Sequence, residues 1–201
     1  MKVGVFGGCF NPIHNAHLAI AEGLVKKGYV DKVIFVPTDS SYDKKDLIPY
    51  EFRETMIKLA IENYDFLEVS NVGTLRNNRY TYQVLDKLAE DNLQDRFYFI
   101  CGTDNLKELD TWKEYEYILD TYGIIVIRRD KDDLDKILKM YGAHKSGIIV
   151  SDIETGEISS TMIRELIKRG DLERTKPYLD EKIIQYIEGN GLYAKKGDNN
   201  S

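Results

Sequence analysis

Short runs of β-branched and aromatic residues alternate along this chain with stretches whose apolar positions recur every three or four residues. The runs Val3–Phe6, Lys32–Val36, Phe66–Ser70, Phe97–Cys101, Ile124–Arg128 and Ile148–Ser151 predict strands. Several are apolar at nearly every position, as strands buried on both faces of a parallel sheet are. Helices are predicted over Asn15–Lys27, Tyr50–Asn63, Thr81–Asp91, Glu114–Tyr122, Leu134–Met140, Ser159–Arg169 and Glu181–Glu188. In the stretch Ser159–Arg169 the residues Ile163, Leu166 and Ile167 share one face, and Gly189-Asn190-Gly191 stops the last helix. Alternation of this kind predicts the α/β class, a doubly wound parallel sheet with helices on both faces. No repeat or linker divides the chain, so residues 1–194 read as one domain and the polar residues 195–201 as a frayed tail. Within the domain, Thr38–Pro49 is polar and long enough to read as a mobile functional loop.

Composition narrows the class. Hydrophobic residues are 42% and charged residues 31%, enough apolar material for a core and too much for a disordered chain. The net charge of −6 argues against a general nucleic-acid binder. Two cysteines, Cys9 and Cys101, make no disulfide framework, and three histidines leave little for a structural zinc site. No apolar run approaches the roughly 20 residues of a membrane span, and glycines interrupt the first apolar run too early for a signal peptide. The expectation is a cytoplasmic protein of small-molecule substrates, without nucleic acid or membrane as partner; self-association is left open.

The first chemical signal is Gly7-Gly8-Cys9-Phe10-Asn11-Pro12-Ile13-His14-Asn15-Ala16-His17, at the junction of a strand and a helix. Glycines there let a backbone approach a phosphate closely. The helix start offers free N–H groups and partial positive charge to an anion. His14 and His17, three residues apart, can both project from the first turn as hydrogen-bond donors to a polyphosphate. Taken alone, Gly7 and Gly8 would serve equally as a tight structural turn. The run is no P-loop, because the lysine-serine/threonine ending is absent. A metal pair of histidines would need further ligands that the neighbourhood does not offer. Cys9, at a helix start, is a weaker alternative as a nucleophile.

The second signal is Ile158-Ser159-Ser160-Thr161-Met162-Ile163-Arg164. Ser159 or Ser160 can cap a helix whose hydroxyls and Arg164 then face a triphosphate. Alone it reads equally as an ordinary cap with a solvated arginine; two phosphate-ready motifs in one chain make coincidence a poor explanation. Together the motifs resemble the His-x-x-His and Ile-Ser-Ser-Thr-x-Ile-Arg signatures of the nucleotidylyltransferase superfamily, in its adenylyl branch. The resemblance implies a Rossmann-like fold and nucleotidyl transfer from a nucleoside triphosphate.

Further stretches resemble the nicotinate (nicotinamide) mononucleotide adenylyltransferase family. They are Gly102-Thr103-Asp104-Asn105-Leu106 with Asp110-Thr111-Trp112-Lys113, and Thr74-Leu75-Arg76 with Arg79-Tyr80-Thr81. That resemblance implies ATP contacts at Gly7, Gly8, Phe10, Asn11, His14, His17, Gly102, Asp104, Ile158, Ser160, Thr161 and Arg164, with His14, His17 and Arg164 catalytic. It implies mononucleotide contacts at Lys44, Lys45, Arg53, Tyr80, Thr81, Trp112 and Arg129. Asp104 would meet the ribose, Trp112 would stack on the pyridine ring, and main-chain amides near Tyr80–Thr81 and Trp112 would receive the nicotinate carboxylate. Mg²⁺ would ride on the ATP phosphates rather than on protein side chains. The chain departs from the family pattern at Gly73-Thr74 in place of an acid, at Arg79 in place of serine, at Phe52 in place of histidine, and throughout Ser40–Lys45, where a histidine is missing. These departures keep nicotinamide mononucleotide, or another phosphate ester such as phosphopantetheine, open as acceptor. A non-catalytic nucleotide sensor on the same fold is the reading from another class.

Overall fold

The computed structural model describes residues 1–40, 46–75, 77–128, 134–154, 156 and 158–194. Strands β1 (Lys2–Gly8), β2 (Lys32–Pro37), β3 (Leu67–Val69), β4 (Arg96–Gly102), β5 (Ile124–Arg128) and β6 (Ile148–Glu154) form one sheet in the order β3-β2-β1-β4-β5-β6. Every pairing is parallel. The helices are α1 (Asn15–Lys26), α2 (Tyr50–Ile61), α3 (Thr81–Asp91), α4 (Thr103–Lys107), α5 (Tyr115–Tyr117), α6 (Leu134–Met140), α7 (Ser160–Lys168) and α8 (Glu181–Gly189). The Rossmann-like α/β expectation therefore describes the sheet and its covering helices.

Alternation along each central strand explains why both faces are covered. Val33 and Phe35 of β2, Tyr98 and Ile100 of β4, and Ile125 and Ile127 of β5 join one core with residues of α1, α2, α7 and α8. Their neighbours Ile34, Val36, Phe97, Phe99, Ile124 and Val126 join the opposite core with residues of α3, α4 and α6. Strands apolar at successive positions must feed two layers at once. Among the described residues no helix is long and apolar enough to cross a membrane.

Local departures from the expected elements have physical causes. Gly7 and Gly8 continue β1, pairing with Val36 and Pro37, rather than forming a turn. A Cβ on Gly7 would lie 2.9 Å from the Phe99 ring, and one on Gly8 3.1 Å from the Phe10 ring, so these positions need the space. The left-handed residue is instead Phe10, with φ +45°. The segment Glu114–Tyr122, expected as one helix, is the short α5 followed by a π-helical turn over Ile118–Tyr122. Gly147 backs onto that turn so closely that a Cβ would fall within 3 Å of the Leu119 backbone. Past Ser151, β6 extends to Glu154 through a register shift between Val126 and Arg128 of β5.

Candidate active site

In an open parallel sheet ligands gather where the strand order reverses, beyond the carboxyl ends of the strands. Here that point lies between β1 and β4, the two central neighbours from which the chain winds in opposite directions. A cleft of about 1450 Å³ opens there. Its walls include Gly7, Gly8, Phe10 and His17 from the first motif, Gly102 from the end of β4 and Asp104 from the start of α4. Tyr80, Thr81 and Trp112 close the far side.

The two histidines are held by the helix they introduce. His14 is the residue before α1, buried at 3% exposure, while His17 sits in its first turn. The rings stack, with centroids 3.7 Å apart and planes at 24°. The main-chain N–H of His14 donates to His17 Nδ1 at 3.2 Å, and the His17 N–H donates to the His14 carbonyl at 2.8 Å. Because Nδ1 accepts, the neutral His17 ring carries its proton on Nε2. The rings of Phe6 and Phe10 meet His17 edge-on at 5.8 and 5.1 Å, fixing its plane.

The second motif lies directly against the first. Ser159 caps α7, accepting from the Met162 N–H at 3.2 Å. That leaves the Ser160 hydroxyl to donate to the Pro12 carbonyl at 2.9 Å. Arg164, 7% exposed, donates from Nη1 to the Asn11 carbonyl at 2.9 Å and from Nη2 to Thr161 Oγ1 at 3.2 Å. Its Nε is buried without a hydrogen-bond partner. Ile158 packs against the core below this turn. Residues some 150 positions apart in sequence thus share two hydrogen bonds.

Asn11 is the hub of this junction. Its Oδ1 accepts from the Tyr193 hydroxyl at 2.9 Å and from the Ile48 N–H at 3.4 Å, and its Nδ2 donates to the Asp46 carbonyl at 2.8 Å. Asp46 in turn pairs with Lys168 of α7 at 3.1 Å. Tyr193 was not among the expected site residues. Its only trace in the sequence is an aromatic residue kept between a helix stop and a polar end. Burial raises its hydroxyl's pKa, with Arg164 and Arg53 opposing.

One expected substrate contact meets a different geometry. Arg53 is fully buried, and its Nε, Nη1 and Nη2 donate to the carbonyls of Ile48, Cys9 and Thr38 at 3.0, 2.9 and 2.7 Å. It braces the loops around the cleft instead of facing it, and burial lowers its pKa. The main-chain N–H of Tyr80 is already taken by Gln83 Oε1 at 3.1 Å, and that of Trp112 by the Leu109 carbonyl at 2.9 Å. Asp104, the expected ribose contact, stands exposed in the first turn of α4 and borders the cleft. Trp112 is half-buried, edge-on to Phe99 at 5.5 Å, with one side in the cleft. Lys44, Lys45, Arg76, Arg129 and the 195–201 tail lie outside the described residues. Of the cysteines, Cys101 is buried with its thiol pushed up to about 12, unsuited to act as a thiolate. Cys9 borders the cleft and receives a hydrogen bond from the Thr38 hydroxyl at 3.6 Å.

Comparison with known proteins places this geometry. The model of the cytidylyltransferase-like family matches residues 5–166. Probable nicotinate-nucleotide adenylyltransferases of Lachnoclostridium phytofermentans and Clostridium acetobutylicum are each 36% identical to the chain, covering 96% of it and 98% and 99% of their own lengths. The structure of Plasmodium falciparum nicotinic acid mononucleotide adenylyltransferase complexed with NaAD matches with a TM-score of 0.78 at 24% identity, over 96% of this chain and 97% of that one. At that identity the match speaks for the fold. The paired histidines, the Ser-Ser-Thr turn bonded to the loop that precedes them and near-full-length kinship together mean that the chain belongs to the cytidylyltransferase-like family, among the nicotinate-nucleotide adenylyltransferases.

Proposed function

We infer that the protein transfers the adenylyl group of ATP to the 5′-phosphate of nicotinate mononucleotide, giving deamido-NAD and pyrophosphate. One observation carries the reading: the histidine loop and the Ser160–Arg164 turn are hydrogen-bonded to each other at the carboxyl edge of the sheet, beside a cleft large enough for two nucleotides. The names of relatives 36% identical over nearly the whole chain support the acceptor.

The chemistry asks little of the protein beyond placement. A phosphate monoester has its second pKa near 6, so at neutral pH the acceptor is mostly dianionic and needs no general base. Its oxygen attacks the α-phosphorus, a new P–O bond forms, and the bond to the bridging oxygen breaks as pyrophosphate leaves. His17, with its proton on Nε2, donates to the phosphate oxygens as charge builds, and His14 stacks behind it to steady the α-phosphate. Arg164, Ser160 and Thr161 hold the departing pyrophosphate, with Ile158 beneath them. Gly7, Gly8 and Phe10 shape the floor under the triphosphate, Asn11 orients the junction, and Gly102 and Asp104 receive the ribose. Tyr80, Thr81 and Trp112 flank the pyridine. Among the described residues no three His, Cys, Asp or Glu side chains gather as a metal cage. Magnesium prefers phosphate oxygens and water to such cages, and it enters as part of the MgATP substrate.

A pyrophosphate-release assay with nicotinate mononucleotide, nicotinamide mononucleotide and phosphopantetheine offered separately tests the reading. The expected result is turnover fastest with nicotinate mononucleotide. Turnover with phosphopantetheine alone, or tight ATP binding without pyrophosphate release, would overturn it.

A further inference from the structure

We propose that Tyr193 is a positioning residue for the adenylyl-transfer step: its hydroxyl clamps the Asn11 side chain, and the Asn11 carbonyl in turn aims the Arg164 guanidinium at the departing pyrophosphate. The proposal rests on the adenylyl-transfer reading above and adds to it a residue that lies outside both phosphate motifs.

The starting observation is how Arg164 is anchored. A guanidinium carries several N–H donors in a rigid fork, so its anchors decide where the others point. Here Nη1 donates to the Asn11 carbonyl at 2.9 Å and Nη2 to Thr161 Oγ1 at 3.2 Å, while the buried Nε has no protein partner. Thr161 stands one turn before Arg164 on α7, so that bond moves with the helix. Among the described hydrogen bonds, the Asn11 carbonyl is the anchor that comes from outside α7. Whatever fixes Asn11 therefore fixes the fork relative to the histidine loop.

Asn11 is fixed through its carboxamide. The Ile48 N–H can only donate and the Asp46 carbonyl can only accept, so Oδ1 faces the first and Nδ2 the second. The Asp46 carboxylate is itself tied to Lys168 of α7 at 3.1 Å, which joins the carboxamide to the arginine's helix a second time. The Tyr193 hydroxyl is the short contact to Oδ1, at 2.9 Å; without it Oδ1 keeps only the 3.4 Å bond from Ile48, beyond the usual range for N–H and oxygen. The chain goes out of its way to place this hydroxyl. Tyr193 has φ +64°, a left-handed conformation that a bulky side chain rarely adopts, yet its ring is buried. Backbone strain of this kind persists where the surrounding structure uses it. A phenylalanine would bury the same ring, so the hydroxyl is the part that burial alone does not explain.

The test is a double-mutant cycle at 25 °C on the unchanged chain, Tyr193→Phe, Arg164→Gln and the double variant, with MgATP and nicotinate mononucleotide. Single-turnover pyrophosphate release is read per folded protein, and KM is read for each substrate. A misaimed arginine loses an interaction made in the transition state, so Tyr193→Phe should slow release about tenfold and leave both KM values within about twofold. In the Arg164→Gln background the same substitution should slow release less than about twofold further, because the group it acts through is gone. A Tyr193→Phe protein as fast as the unchanged chain, a loss entering through KM alone, or the same tenfold slowing with and without Arg164 would each overturn the proposal while leaving adenylyl transfer intact. Should Arg164→Gln fail to fold, the kcat-against-KM split in Tyr193→Phe decides by itself. An unchanged chain that releases no pyrophosphate would overturn the functional reading instead.

Discussion

Replacing Arg53 by methionine removes three main-chain hydrogen bonds at once, to the carbonyls of Cys9, Thr38 and Ile48. Each buried acceptor left without a donor costs about 1–3 kcal/mol, and relief of the buried charge returns part of that sum. Burial, which lowers the guanidinium's pKa, is the source of that relief. A net loss of about 3–5 kcal/mol follows, which for a chain of this length lowers Tm by about 10 °C. Arg53→Lys keeps a charge but not the planar fork that reaches three carbonyls, so it should fall between. Thermal unfolding by circular dichroism reads the stability, and KM for each substrate at 25 °C reads the site. Because Cys9 and Thr38 border the cleft, both KM values should rise together. An unchanged Tm with a raised KM for the mononucleotide alone would refute the bracing role and restore Arg53 as a substrate contact.

Tyr193→Phe removes the hydroxyl that Asn11 Oδ1 accepts; it should cost about 1–2 kcal/mol and a few degrees in Tm, and an unaltered melting curve would count against the hub. Trp112→Ala should raise KM for the mononucleotide and leave that for ATP nearly unchanged, whereas equal effects on both would mark it as packing against Phe99. The His144 ring hydrogen-bonds Asp120, which raises its pKa above the ordinary 6.5. A raised value means that the paired, protonated form stabilises the fold fully below 6.5 and that this contribution is lost as pH rises through the folded value. Melting temperature measured across that range should fall less steeply in His144→Gln than in the unchanged chain; parallel curves would show the pair to be inert.

Much of the fold was legible because buried parallel strands are written as apolar runs. Ile124–Arg128, Thr81–Asp91 and Leu134–Met140 have the bounds that their patterns predict. The rest was hidden for identifiable reasons. Helix α4 is five residues, too short for a periodicity to show. The π turn after α5 depends on Gly147 pressing against Leu119, a contact that no local pattern encodes. The candidate site divides in the same way. His14, His17 and Ser159–Arg164 were visible because phosphate chemistry needs those residue types in short runs. Arg53 could be mistaken for a substrate cation because sequence does not distinguish a buried arginine from an exposed one. Tyr193 escaped notice because its partner, Asn11, is 182 residues away.

The account turns on His17 donating from Nε2 to the triphosphate beside the Arg164 turn. The most direct measurement is the single-turnover rate of pyrophosphate release, with saturating MgATP and nicotinate mononucleotide, for the unchanged chain and for His17→Ala. Loss of one preorganised donor to developing charge should slow the step about a hundredfold or more, with the melting temperature showing the variant folded. A folded His17→Ala protein that releases pyrophosphate as fast as the unchanged chain would contradict it.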